Sequence, residues 1–425
     1  MGPESPRLLV TGASGYIGAR LVELATERGI DVIVLGTPPR VQELRHAHAW
    51  RLGDRPPEEA LRSLTAVIHL AHSWDADSEC NSSSGNINLV GSEVLARASF
   101  AAQVSRFVFA STTSARPTAL NSYGRIKHLT ETRLMEVPQA GQRLICARIG
   151  LVYGGPERGQ YGLMSKLVRL APVLPMFGLD REVQPIHLDE VCEGLLALAL
   201  GALPGEGNGL RRAYVLAGPE PVTFGAWLRT LRRALTGRGI ILLPVPVSAA
   251  LLACDLTRIV PFLPVVDRER VLGLASTEPM ASAADLSALG IKIVDPSIRL
   301  ADFRAERRRM VAEAAAMLDY VSRGKIRSRS AVGRLVRGID RYGGGRSLGL
   351  PRFVLGCPSF LRAFEPLRRH RGHRLAERLH LAAMVIESAQ RGPQRSCRNF
   401  GSILGQAVTE AVALPFRLIL GGRFQ

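Results

Sequence analysis

The sequence predicts an α/β protein built on a doubly wound, mostly parallel sheet with a smaller substrate lobe, followed by a mostly helical basic extension. Three observations predict this: an N-terminal strand that runs into a glycine turn and a helix, repeated alternation of apolar runs with helical patterns, and a shift in charge near residue 301. With 425 residues the chain exceeds the size at which one hydrophobic core stops growing, so more than one packing unit is expected. Hydrophobic residues at 46% and charged residues at 22% exclude wholesale disorder.

Leu8 to Val10 form a short buried-strand signal that leads into Thr11-Gly12-Ala13-Ser14-Gly15-Tyr16-Ile17-Gly18, after which Ala19 to Arg28 has helical character. A turn that binds phosphate needs these glycines: Gly12 for the tight turn, Gly15 for close backbone approach, and Gly18 for helix packing. Further strands are predicted at Ile30–Leu35, Ala66–Leu70, Arg106–Ala110, Arg143–Ile149 and Tyr214–Leu216. Helices are predicted at Pro57–Leu64, Ile87–Ala102, Leu188–Leu200 and Thr223–Leu235, the last with Thr223 suited to an N-cap.

Tyr123 and Lys127 stand four residues apart, on one face of a helix, where a cation lowers the pKa of a phenol from about 10. They follow a hydroxyl cluster, Ser111-Thr112-Thr113-Ser114, at the end of a predicted strand. Ligand sites in open α/β sheets gather at the carboxyl ends of strands.

Residues 5–300 resemble the extended short-chain dehydrogenase/reductase family, of the NAD-dependent epimerase/dehydratase kind, which has a Rossmann-type sheet. The resemblance rests on T-G-x-x-G-x-x-G at Thr11–Gly18, Gly53-Asp54, His69-Leu70-Ala71, an asparagine at Asn88 placed before a helix, R-F-V-F-A-S-T from Arg106, Tyr123–Lys127, Arg148–Gly154 and His187–Val191. It implies that Tyr123 is the general acid/base, that Lys127 orients the nicotinamide ribose, and that Thr112 bonds the substrate oxygen, with Ser111 as the alternate hydroxyl. It also implies a cofactor site formed by Thr11, Gly12, Gly15, Tyr16, Ile17, Gly18, Gly36, Arg40, Asp54, Leu70, Ala71, Tyr123 and Lys127. His69 and His187 are read as structural histidines.

Three departures from the family pattern shape the functional expectation. The second strand ends in Gly36 without the acid that bonds the adenosine ribose, which, with Arg40 nearby, favours NADP over NAD. Only Thr113 to Ser122 separate Thr112 from Tyr123, so the V-Y-G insertion of nucleotide-sugar enzymes is missing and the pocket is either more open or completed by another part of the protein. Thr113 and Ser114 replace the D-E pair of dehydratases, which disfavours dehydration. An oxidoreductase acting at a secondary alcohol or ketone of a nucleotide sugar or related small molecule and a nucleotide-sugar epimerase with transient oxidation both stay open, as does a cofactor-binding scaffold or membrane-associated interaction protein.

The extension, residues 301–425, carries 24 basic and 9 acidic residues, so it holds most of the net charge of +18. An apolar helical pattern over Phe360–Ala389 and a strip at Val412–Leu420 predict a folded add-on that docks on the catalytic body, an acidic protein or an anionic membrane. No specific nucleic acid is expected, and a homodimer is compatible with the sequence. His370, His373 and His380 have no accompanying ligands, so no metal is expected. Six scattered cysteines and an N-terminus without a basic-then-apolar profile point to the cytoplasm, with peripheral attachment to the inner membrane surface left open. The apolar stretch Ile240–Val266 is broken by prolines and is not expected to span a bilayer.

Overall fold

The computed structural model describes residues 6–37, 46–74, 76, 85–139, 141–170, 172–203, 212–259, 268–322, 329–342, 347–350 and 355–358. Two compact units divide the chain: residues 1–154 with 158–300, and residues 155–157 with 301–425.

In the first unit, short apolar runs become the strands β1 (Arg7–Thr11), β2 (Asp31–Gly36), β3 (Ala47–Ala49), β4 (Ala66–His69), β5 (Arg106–Thr112), β6 (Arg143–Ile149) and β11 (Arg212–Leu216). They form one parallel sheet in the order β11-β6-β5-β4-β1-β2-β3. Strands of this kind are buried on both faces, which is why their sequences are nearly continuous apolar runs. On one face Leu8, Val10 and Val108 pack with Leu21 and Leu24 of α1 (Tyr16–Glu27) and Val191 and Leu195 of α5 (Leu188–Leu200). On the other, Leu9, Phe107 and Phe109 meet Leu95 and Phe100 of α2 (Ile87–Ala101) and Leu134 of α3 (Ser122–Leu134). Arg20 of α1, only 8% exposed, ties the first helix pair together through Asp189 of α5 at 2.6 Å.

The strand order reverses between β1 and β4, where Thr11 stands opposite His69. Such a switch point opens a crevice at the carboxyl ends of the strands.

The later part of this unit supplies three two-stranded ladders. β7 (Leu151–Tyr153) pairs with β10 (Pro185–His187), β8 (Val173–Phe177) with β13 (Ile241–Val245), and β9 (Glu182–Val183) with β12 (Val222–Thr223). The remaining helices are α4 (Gly159–Leu170), α6 (Phe224–Thr236), α7 (Val247–Ile259), α8 (Arg268–Ala275) and α9 (Ala283–Ala288). Thr223 caps α6 by accepting from Ala226 N–H at 3.2 Å, and Gly237 closes it in the left-handed conformation.

Two expectations shift in detail. The helix predicted over Pro57–Leu64 is a single 3₁₀ turn, Glu58–Leu61, because Ser63 takes a positive φ of 54° that no helix continues through. Asn88 lies inside α2 rather than before it; Asn86 is the N-cap and accepts from Asn88 N–H at 2.9 Å.

α10 (Pro296–Ser322) begins ahead of the shift in charge near residue 301, since Asp295 accepts from Ser297 N–H at 2.7 Å and Pro296 suits the first helical position. In the second unit Met310, Met317 and Leu318 of α10 pack with Ala331, Leu335 and Ile339 of α11 (Arg329–Tyr342). Glu313 is fully buried there, its carboxylate accepting from Leu348 N–H at 2.6 Å and Leu350 N–H at 2.8 Å, which meets the demand of a buried charge for partners. The segments Phe360–Ala389 and Val412–Leu420, with His370, His373 and His380, lie outside the described residues. Among the described residues no helix is long and apolar enough to cross a membrane, and no group of side chains could hold a metal ion.

Candidate active site

The glycine turn after β1 is fixed by close backbone approach. Gly12 has a φ of 70°, and a Cβ there would lie 2.8 Å from Ala71 N. A Cβ on Gly18 would lie 2.2 Å from Gly12 O, and one on Gly15 would lie 3.0 Å from the same oxygen. Gly15 is also the N-cap of α1, which has no side-chain cap and no acid in its first turn. A helix N-terminus left in this state, below a turn too tight for side chains, suits the pyrophosphate of a dinucleotide. Ile17 packs beside the sheet on the α1 face. The Tyr16 hydroxyl donates to Gly154 O, in the turn after β7.

A directed hydrogen-bond chain forms the floor of the crevice. Leu70 N–H and Ala71 N–H donate to Thr11 Oγ1 at 3.2 and 3.1 Å, and that hydroxyl meets His69 Nδ1 at 2.7 Å. His69 Nε2 meets Ser92 Oγ at 2.9 Å, and Ser92 in turn donates to Asn88 O at 2.5 Å. Because the Ser92 proton is committed to Asn88, the order of donors puts the imidazole proton on Nε2 and leaves Nδ1 to accept from Thr11. Burial, with Lys127 and then His72 nearby, pushes the His69 pKa down to about 3, so the ring is neutral. His187 is also structural in its geometry: its Nδ1 accepts from Asp189 N–H at 3.2 Å in a capping box with Glu190, and burial lowers its pKa to about 4.

Tyr123 and Lys127 lie one turn apart on α3, as predicted. Lys127 is 4% exposed, donates to Ala110 O at 2.8 Å, and places its ammonium 4.5 Å from the centre of the Phe109 ring and 5.9 Å from that of Tyr123. One turn further, Glu131 is buried and accepts from Arg148 of β6 through both carboxylate oxygens, the shortest contact being 2.6 Å. The two hydroxyl candidates at the end of β5 differ. Ser111 is 3% exposed, and its oxygen has no hydrogen-bond partner among the described residues. Thr112 is half-buried and accepts from Ser114 N–H at 3.2 Å.

The other predicted positions lie around the rim. Gly36 ends β2 and accepts from Trp50 N–H at 2.8 Å. Asp54 is exposed beside Gly53, in a turn that closes against Ile87 and Gly91 of α2. Arg40 lies outside the described residues.

The role of the motif residue Asn88 and five further participants, His72, Trp74, Glu269, Arg116 and Glu278, were not legible beforehand. Asn88 clamps Ser73 through its N–H at 2.7 Å and its carbonyl at 2.9 Å, which fixes the segment bearing His72 and Trp74. Trp74 stacks on the Tyr123 ring, with centres 4.9 Å apart and planes at 21°, and His72 stands edge-on to both rings at 5.0 Å. Their position directly after Leu70-Ala71, at a strand end beside the crevice, is the signal that could have found them. Glu269 of α8 accepts from Ser122 N–H at 2.6 Å, and Arg116 pairs with the Glu278 carboxylate and donates to its carbonyl at 2.7 Å. These contacts from residues 268–278 brace the short loop before Tyr123, where the family's insertion is missing.

Residues 8–202 match the model of the NAD dependent epimerase/dehydratase family. A UDP-glucose 4-epimerase of Azospirillum brasilense is 25% identical over 253 residues, 48% of this chain and 71% of that protein. Subunit 9 of the NADH dehydrogenase [ubiquinone] 1 alpha subcomplex, mitochondrial, from Dictyostelium discoideum is 24% identical over 231 residues, 52% of this chain and 61% of that protein. The fold is similar to that of a human epimerase family protein solved with NADPH, at a TM-score of 0.53 and 20% identity, over 70% of this chain and 99% of that one. The glycine turn at the switch point and the tyrosine and lysine on α3 all fall within residues 8–202, the part of the chain that is similar to the NAD dependent epimerase/dehydratase family.

Proposed function

We propose that the chain is an NAD(P)-dependent oxidoreductase acting reversibly at a secondary alcohol or ketone of a nucleotide sugar or a related small molecule, with residues 5–300 as its catalytic region. The observation that carries this reading is Lys127, an ammonium 4% exposed and set one helical turn from Tyr123. Burying a lysine is costly, and its burial beside the Tyr123 ring supports a role for its charge there.

In this reading the Tyr123 phenolate takes the proton from the substrate oxygen in oxidation, and the hydroxyl so formed returns it in reduction. Lys127 stabilises negative charge on the phenol oxygen while the proton is away and holds the nicotinamide ribose. Thr112 hydrogen-bonds the same substrate oxygen; its partial exposure favours it over the buried Ser111. A bound nicotinamide cofactor supplies the hydride donor or acceptor. The turn from Thr11 to Gly18 would hold its pyrophosphate, with Tyr16 and Ile17 on the first turn of α1; Gly36, Arg40 and Asp54 would hold its adenosine half, and Leu70 and Ala71 would line the cleft. NADP is favoured over NAD because β2 ends on Gly36 without a carboxylate to repel a 2′-phosphate. The Azospirillum relative's name supports a nucleotide sugar as substrate, and an epimerase with tightly bound NAD is the alternative chemistry.

Tyr123→Phe is the test: it removes the transferred proton and almost no volume. Cofactor titration is expected to be unchanged while turnover on a pool of nucleotide sugars and small carbonyl compounds, read by mass spectrometry, falls at least a hundredfold, roughly the value of general acid/base catalysis. Full turnover by the variant would remove Tyr123 from the mechanism. A scaffold is the second reading, favoured by Trp74 lying across the Tyr123 ring and by the Dictyostelium relative being a named subunit. Cofactor binding without turnover by the wild-type chain would select it.

A further inference from the structure

The lobe built from α4, β8, α6 and β13 has an unusual charge balance. Residues 158–179 and 221–254 contain lysine and arginine but no aspartate or glutamate. The two stretches are far apart in sequence and packed together in space: Arg232 of α6 donates to Val168 O of α4, and β8 pairs with β13 so that Val173 faces Ile241 and Pro175 faces Leu243. Lys166, Arg229, Arg233 and Arg238 are exposed on it.

The same lobe turns an apolar face to water. Alternate residues of paired strands share one side, so Val173, Ile241 and Leu243 stand together, at 41%, 61% and 48% exposure, while the intervening Leu242 is buried at 8%. Leu170, at the end of α4 and three residues before Val173, is 75% exposed. A half-buried ribbon ordinarily turns its polar side outward; this one is apolar on the outer side as well as at Leu242, between two basic stretches bordered by Asp180, Glu182 and Glu220.

We infer that this face docks the protein on an anionic lipid bilayer. Leu170, Val173, Ile241 and Leu243 enter the boundary between headgroups and acyl chains, and Lys166, Arg233 and Arg238 meet lipid phosphates. Charge argues against the other occupants. A second copy would bring two surfaces of net positive charge together, and the chain's own residues 301–425, with 24 basic and 9 acidic side chains, carry the same sign. The attachment surface therefore belongs to the first unit, and it does not depend on the catalytic reading.

The test uses the full-length chain with vesicles of phosphatidylcholine alone or mixed with phosphatidylglycerol, read by co-sedimentation. Wild type is expected to bind only the anionic vesicles and to be released by salt. Ile241→Gln with Leu243→Gln removes the apolar anchors, and Arg233→Gln with Arg238→Gln weakens binding roughly 25-fold, from about fivefold per basic side chain at a lipid surface. The buried Trp50 and Trp227 report by their emission that the fold is kept. Binding equal to wild type in both double variants would overturn the proposal and move attachment to residues 301–425. A dimer that dissociates in the apolar double variant, with no binding of wild type to vesicles, would overturn it in favour of a second copy.

Discussion

Acid should destabilise the first unit through His69, and the structure sets the size of the effect. The ring is fully buried between Thr11 and Ser92, and burial beside Lys127 and His72 lowers its pKa to about 3, against an ordinary value of 6.5. Below the unfolded value the unfolded chain binds a proton that the folded chain refuses, so folding stability falls as pH falls. The contribution is complete above the unfolded pKa and is exhausted near the folded one. The slope is about 1.4 kcal/mol per pH unit, which makes the loss roughly 2 kcal/mol by about pH 5. His69→Gln removes the titration while keeping an acceptor for Thr11 and a donor for Ser92. All three tryptophans, Trp50, Trp74 and Trp227, belong to the first unit, so urea unfolding followed by their emission reads that unit alone. Wild type is expected to lose roughly 2 kcal/mol more than His69→Gln between about pH 8 and about pH 5. His187, also lowered, is common to both chains and cancels. Parallel stability profiles would refute both the neutral ring and the hydrogen-bond chain assigned to it.

Gly18→Ala puts a methyl 2.2 Å from Gly12 O and forces the turn open, so NADP(H) affinity should drop tenfold or more in a binding titration, with helix content by circular dichroism unchanged. Unchanged affinity would mean that the turn does not hold the cofactor. Glu131→Ala strands the Arg148 guanidinium and should cost about 3 kcal/mol in urea unfolding; a loss below about 1 kcal/mol would mean water replaces the pair. Glu269→Ala removes a charged acceptor at the first turn of α3, which should lower turnover about tenfold without changing cofactor affinity, while Glu269→Gln restores most of it. Equal turnover in all three proteins would deny α8 a positioning role.

Much of this was legible in the sequence for a physical reason: local patterns carry local structure. The buried strands are apolar runs because both faces of a parallel sheet are covered, and α5 falls on Leu188–Leu200 as read from its acidic start and apolar body. The pairing of Tyr123 with Lys127 follows from helical spacing alone. α11 escaped because its arginines and Gly333 and Gly338 mask the stripe of Ala331, Leu335 and Ile339, which gains meaning only against α10. Trp74 and Glu269 escaped because neither sits in a motif. Their roles come from contacts with Tyr123 and Ser122 that span 49 and 147 positions of chain.

The brace from α8 has a consequence for how the site comes into being. Ser122, the residue before the tyrosine, is seated by a carboxylate that leaves the ribosome 147 residues later, and Arg116 waits for Glu278. Contacts of that separation form late, after the loop-closure entropy of the intervening chain has been overcome. During synthesis the glycine turn can therefore be complete while the first turn of α3 still lacks its acceptor. The segment 8–202 that carries the family match is then synthesised before either acidic partner of the braces exists, and both braces can form only when the chain has grown past residue 278.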